Sequence, residues 1–135
     1  MAGLLAEMRG VAARLDGSEY ADIGAALARG VDALEQAGEW LQGNLDEAGE
    51  NAGAAAYSFL MLAGTVAGGW QMAVAAVAAL RRLVNAGENA DFLRAKLITA
   101  RFYAEQIMPR AQAHRDAAMA GSRTMMALDE AHFGL

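Results

Sequence analysis

Apolar side chains recur every three to four residues along most of this chain, and the phase breaks where glycine, asparagine and acidic residues cluster. Leu4, Met8, Val11 and Leu15 form a first stripe, with Glu7, Arg9 and Arg14 off it, which predicts a short amphipathic helix. Asp16-Gly17 ends that helix, because glycine tolerates the left-handed backbone found at helix C-termini. Ser18 is placed to cap a second helix, with Glu19 and Asp22 favourable near its positive end. In that helix Ile23, Leu27, Val31, Leu34, Leu41 and Leu45 share one face, and Gly38 fills the gap in the stripe. Asp22, Arg29, Asp32, Glu35, Glu39 and Gln42 take the other sides, the pattern of an outer bundle helix. Gly24, Gly30 and Gly38 each cost roughly 1 kcal/mol of helix stability against alanine, which implies that another helix backbone comes close. Trp40 flanks the stripe as a packing residue.

Asp46–Gly53 reads as a loop. A third helix is expected from Ala54 to Val84, apolar on nearly every side, with Gly64, Gly68 and Gly69 thinning its middle and Trp70 beside them. From Asn51 to Leu80 no residue is charged. That run is long enough to cross a membrane, for which about 20 apolar residues suffice, and Gly64-x-x-x-Gly68 would then be a helix-packing face. Its alternative is the buried central helix of a bundle. The second reading is preferred, because alanine and glycine insert weakly, Gln71 sits near the middle, and the other stripes need a partner. Arg81-Arg82 closes the run, and Asn85–Asn89 is a turn in which Gly87 can end one helix and Asn89 cap the next.

A fourth helix is expected from Ala90 to Ala120. Leu93, Leu97, Ala100, Ala104, Ile107 and Ala111 make its stripe, which Phe92, Ile98 and Phe102 widen. Asp91/Arg94 and Arg101/Glu105 are spaced to pair across a turn. Pro109 cannot donate a backbone hydrogen bond to the carbonyl of Glu105, so a kink is expected there. Met125, Met126, Leu128 and Phe133 are expected to fold a tail, Thr124–Leu135, back onto the rest. The sum is an all-α fold: an up-down four-helix bundle of one short and three long helices, in a single domain spanning residues 1–135.

Composition sharpens this reading. About a quarter of the chain is alanine, which has the highest helix propensity, and β-branched residues are sparse. No cysteine is present, so disulfides and thiolate chemistry are excluded, in keeping with a reducing cytoplasm. The net charge of −5 is uneven: residues 1–50 hold ten acids against three arginines, whereas residues 51–135 carry a small positive excess. Nucleic acid and anionic lipid demand clustered basic residues, so neither is expected as a partner. The N-terminus lacks the basic and apolar segments of a signal peptide.

Candidate chemistry is thin. His114 and His132, the two histidines, have no carboxylate at ligand spacing, and Arg110 one turn before His114 would repel a cation. The Glu-x-x-His signature of bundle di-iron sites is missing. Gly64-Thr-Val-Ala-Gly68-Gly69 lacks the Lys-Ser/Thr of a phosphate loop and follows no strand. Tyr57, Tyr103 and Trp70 could hydrogen-bond a ligand, but bundle aromatics usually bond within the protein. No nucleophile, base and oxyanion set can be assembled, so no catalytic, cofactor-binding or metal residue is assigned. Gly64, Gly68, Gly69, Trp70, Phe102, Tyr103 and Pro109 are assigned as packing residues.

Three segments, preceded by Glu39-Trp40-Leu41, are familiar together: Ala54-Ala-Ala-Tyr57-Ser-Phe-Leu-Met-Leu-Ala-Gly64-Thr-Val-Ala-Gly68-Gly69-Trp70; Phe92-Leu-Arg-Ala-Lys96-Leu-Ile-Thr-Ala-Arg101-Phe-Tyr103-Ala-Glu105 with Pro109; and Met125-Met126-Ala127-Leu128-Asp129-Glu130. Over nearly the whole chain they resemble the extra C-terminal helical domain of long bacterial acyl-CoA dehydrogenases, in particular the 3-methylmercaptopropionyl-CoA dehydrogenase-like group. Phe133-Gly-Leu resembles the natural C-terminus of such an enzyme. The resemblance implies a soluble, cytoplasmic FAD enzyme of acyl-CoA oxidation as the parent. Its flavin-binding and acyl-CoA-binding domains and its catalytic glutamate would lie upstream, and no residue here matches that glutamate. The implied role is a structural and assembly module whose partner is the dehydrogenase core or subunit; an independent helical protein-interaction module with an unrelated partner is an alternative, and a face left by a missing core could drive self-association.

Overall fold

The computed structural model describes residues 1–134. Five α-helices follow one another: α1 (Ala2–Ala13), α2 (Ala21–Gly43), α3 (Glu50–Leu83), α4 (Ala90–Gln106) and α5 (Arg110–Ala118). Short 3-10 turns lie at Gly87–Asn89 and Glu130–Phe133. The expected all-α bundle is present, with the fourth helix divided in two. Cross-contacts fix its topology: Ala12 lies by Gly24, and Met1 by Gly38, so α1 and α2 run antiparallel. Asn51 bonds Asn44, and Tyr103 bonds Thr65, so α2–α3 and α3–α4 do the same. Helix α3 touches all four others. Leu15, Ile23, Leu27, Val31, Leu62, Val66 and Leu97 are the largest fully buried side chains, and truncating one to alanine would cost about 2–5 kcal/mol.

Between α1 and α2 the chain turns from Arg14 to Tyr20, with Gly17 left-handed at φ 72°. Ser18 does not cap α2, as its sequence position suggests. Its hydroxyl donates to the carbonyl of Leu15 and accepts from the amide of Tyr20, so it closes this turn, and α2 starts one residue beyond Tyr20. The α2 glycines divide by neighbour. A Cβ on Gly24 would stand 2.6 Å from the Ala12 carbonyl oxygen, a true backbone approach. Gly30 and Gly38 instead receive the side-chain ends of Met108 and Met1. Helix α2 stops at Gly43, and Leu45 is exposed, so the expected stripe ends at Leu41.

Helix α3 begins at Glu50, four residues earlier than its apolar pattern suggests, because Asp46 reaches forward. Its two carboxylate oxygens accept from the amides of Glu50 and Asn51, both at 2.9 Å, satisfying donors that the first helical turn leaves open. Those amides hold the Asp46 carboxyl below the usual range. Its neighbour Asn51 ties three segments together. Its side-chain nitrogen donates to the Asn44 carbonyl, while the side-chain oxygen accepts from both the backbone amide and the hydroxyl of buried Ser122.

The proline does more than kink the fourth helix. The amides of Ile107 and Met108 both point to the carbonyl of Tyr103, a widened turn, after which α5 restarts behind Pro109. The extra residue rotates the stripe by one position. Met108, not Ile107, becomes the buried side chain, and it fills the space over Gly30 and Gly69. The tail is also corrected: Met125, Met126, Leu128 and Phe133 are all exposed, held only by local turns such as the Asp129–His132 capping pair. Leu135, the last residue of the expected tail, lies outside the described residues.

Candidate functional site

The side chains expected to pack around the waist of the third helix meet in part. The Tyr103 hydroxyl donates to the Thr65 carbonyl at 2.9 Å and lies directly over Gly68, where a Cβ would overlap the phenol. Burial pushes the Tyr103 hydroxyl pKa up. Gly69 faces the Met108 sulfur just as closely. Trp70 is half-buried, and its indole N–H is enclosed without an acceptor. Pro109 is exposed at the start of α5.

Two packing assignments fail. Nothing lies within 4 Å of a Cβ built on Gly64, and Phe102 is 59% exposed. The reason is angular. Leu93, Leu97, Ala100 and Ala104 turn α4 inward, which leaves Phe102 nearly opposite them, with Ile98 also outside. Gly64 and Gly68 likewise do not share one open face, since Gly68 is covered by Tyr103 and Gly64 is not covered at all.

Helix α3 is therefore not enclosed on every side. It is long and apolar enough to cross a membrane by length and composition, and 33% of its most apolar stretch is buried here. Its inner face, through Leu62, Val66, Ala73 and Val77, supplies the core. Its outer face, through Tyr57, Leu60, Gly64, Ala67, Gln71 and Val74, stands open. The four shorter helices gather on the inner side, because α2 and α4 present only one apolar stripe each.

Charge organises the opposite side. Arg101 grips Asp22 with two hydrogen bonds, at 2.8 and 3.1 Å, donates to the Glu19 carbonyl at 2.7 Å, and stacks 4.5 Å from the centre of the Tyr20 ring. The local Arg101/Glu105 pair expected from spacing gives way to this bidentate bond across helices. Arg101 holds the Asp22 carboxyl below its ordinary value. Arg9 bridges Asp32 at 2.8 Å and Glu35 at 2.6 Å, and these bonds, Glu35 foremost, raise its pKa. Arg94 does pair with Asp91. These contacts join α1 to α2 and α2 to α4, and they are structural.

A solvent-open cleft of about 480 Å³ lies where α3 hands over to α4, lined by Arg81, Arg82, Asn85, Asn89, Phe92 and Leu93. Among the described residues, no three acids or histidines gather as a metal site. A flavin needs an enclosed apolar slot for its ring system and backbone amides aimed at its diphosphate. The cleft is open and basic, and the gap between Ile23, Gly69, Met72 and Tyr103 is too narrow for a water molecule. The residues present do not fit FAD.

With fold and surfaces described, comparison with known proteins gives the class. The family model described as "Acetyl-CoA dehydrogenase C-terminal like" matches residues 4–129, and the chain belongs to that family. The chain is also 37% identical, over 102 residues, to 3-methylmercaptopropionyl-CoA dehydrogenase of Ruegeria pomeroyi. That match covers 73% of this chain and 16% of the Ruegeria protein. No solved structure matches the chain.

Proposed function

We propose that this chain is an accessory domain of an FAD-dependent acyl-CoA dehydrogenase, which supports assembly on the catalytic core and carries no turnover of its own. One observation carries the reading. The family match runs through nearly the whole chain, yet the aligned part of the Ruegeria enzyme is about one sixth of its length. A module that fills this chain is a small portion of an enzyme, and the family description puts that portion at the C-terminal end. The flavin belongs to the parent, which agrees with the poor fit of FAD to the clefts here. A cytoplasmic location, the bacterial source and a role in fatty acid metabolism belong to the same proposal.

The test uses the purified chain with added FAD, a series of acyl-CoA thioesters and an artificial electron acceptor. The expected result is no reduction of the acceptor by the chain alone, and a raised thermal midpoint for an acyl-CoA dehydrogenase core when the chain is bound. Turnover by the chain alone would overturn the proposal.

The open outer face of α3 favours a second reading, a single-pass membrane protein. In that reading the Gly64/Gly68 pair is already broken, because Tyr103 occupies Gly68. Recovery of the chain in a detergent-free soluble fraction rejects it; recovery in the membrane pellet supports it.

A further inference from the structure

We infer that the outer face of α3, from Tyr57 through Leu60, Gly64 and Ala67 to Val74, is the surface that seats this domain on the catalytic portion of an acyl-CoA dehydrogenase. The inference rests on the accessory-domain reading and adds the place of contact.

Together with Gln71, the one amide side chain among them, these residues recur at spacings of three and four, so they form one strip along one side of the helix. Tyr57 and Leu60 are 71% and 70% exposed. The strip lies within the thirty uncharged residues from Asn51 to Leu80, where an exposed side of a soluble helix would normally carry charge. Soluble monomers seldom leave a continuous apolar area larger than a few hundred square ångströms (about 300–600 Å²) open to water unless something binds there.

Gly64 is the second observation. Away from the terminal turns of the two long helices, Gly24, Gly30, Gly38, Gly68 and Gly69 each have a neighbouring atom of this chain where a Cβ would go, whereas Gly43 and Gly53, in those terminal turns, have none. Gly64 has none, although it lies in mid-helix and weakens α3 by roughly 1 kcal/mol relative to alanine. In α2 and α3 the glycines away from the helix ends mark close approach, and by that rule the body that approaches Gly64 is outside this chain.

Length selects the occupant. Some five sixths of the Ruegeria enzyme lies beyond the aligned stretch, so a member of this family has a large polypeptide against which to cover the strip. The rim agrees. Arg81 and Arg82 close the strip at one end and have no carboxylate partner among the described residues, and Phe92 stands beside them. An apolar partner surface with an acidic edge at that end fits both features.

The test co-expresses the chain with the flavoprotein acyl-CoA dehydrogenase of its source. Complexes are followed by gel filtration with light scattering and flavin absorbance. Leu60→Glu and Ala67→Glu are expected to keep the helical signal and thermal midpoint of the free chain, because both sites are exposed, and to weaken the complex at least tenfold. Gly64→Ala should raise the midpoint of the free chain while weakening the complex several-fold. Glu39→Lys, on the wet side of α2, should leave the complex intact. If the complex forms and survives all three α3 variants, the strip is not the contact and the accessory reading stands. If the wild-type chain binds no flavoprotein, both are overturned. A colourless dimer that Leu60→Glu and Ala67→Glu split into monomers would assign the strip to a second copy of this chain and overturn the inference.

Discussion

Replacing Gly68 by alanine should destabilise this protein, although alanine is the better helix former. Intrinsic propensity alone favours the change by about 1 kcal/mol. Against it, the new Cβ would overlap the Tyr103 hydroxyl and stand 2.8 Å from ring atom Cζ and 3.4 Å from Cε2. The ring can escape only by swinging outward, which gives up its bond to the Thr65 carbonyl, about 0.5–1.5 kcal/mol. Overpacking of this kind costs about 1–3 kcal/mol. The net expectation is a loss of about 1–2 kcal/mol, or about 4–8 °C in thermal midpoint for a chain of this size. The decisive assay is a double-mutant cycle by urea denaturation. In a Tyr103→Ala background the obstruction is gone, and Gly68→Ala should become stabilising by about 1 kcal/mol. The sign should therefore reverse, with a coupling of about 2–3 kcal/mol. A stabilising Gly68→Ala in the wild-type background, or a coupling within about 0.5 kcal/mol of zero, would refute the argument.

Three other outcomes follow from the same contacts. Asn51→Ala strands the buried Ser122 amide and frees the Asn44 carbonyl, so it should cost about 2 kcal/mol by urea denaturation, with enhanced hydrogen exchange at Ser122. Asp22 and Asp46 have depressed folded-state pKa values, so their contribution is complete above the unfolded value of about 3.9 and fades as pH falls through the lower folded values. Asp22→Asn and Asp46→Asn should each flatten the acid side of a midpoint-against-pH curve, and an unchanged slope in both would contradict the pairing. Trp70→Phe removes an enclosed N–H that has no acceptor, so despite the lost volume its stability should stay within about 1 kcal/mol of wild type. Trp70→Asp instead puts an unpaired charge into that half-buried place and should unfold the chain, as read by circular dichroism.

The helical stretches and their order were legible because they rest on local periodicity, whereas the early start of α3 at Glu50 and the division of the fourth helix before Pro109 do not. The inward stripe of α2 follows its apolar spacing as far as Leu41, and Asp91/Arg94 pair as their spacing says. What escaped depends on partners distant in the chain. Arg101 had a suitable acid one turn away in Glu105, yet the bidentate geometry offered by Asp22 won. Asn51 falls in the Asp46–Gly53 stretch that reads as a loop, and nothing local tells that Ser122 would come to it. Met108 was hidden behind Ile107 because the widened turn before Pro109 shifts the phase by one residue. The chargeless run of α3 suggests a helix enclosed on every side, yet one face stands open. Hydrophobicity reports that a residue can be buried, but not whether the covering atoms belong to the same chain. That ambiguity is where the candidate surface lies.

The seat of Met108 has a temporal consequence. Its methyl lies over Gly30 of α2 and its sulfur over Gly69 of α3, residues far apart in sequence that become neighbours only when those two helices have paired. The pocket does not exist in either helix alone. Docking of the turn between α4 and α5 is therefore expected to follow pairing of α2 with α3, so that the chain assembles as a hairpin later closed by its C-terminal third. Truncating Met108 should then accelerate unfolding and leave the folding rate nearly unchanged, a φ-value near zero in a stopped-flow chevron. A value near one would place the α4–α5 turn in the nucleus and reverse the order.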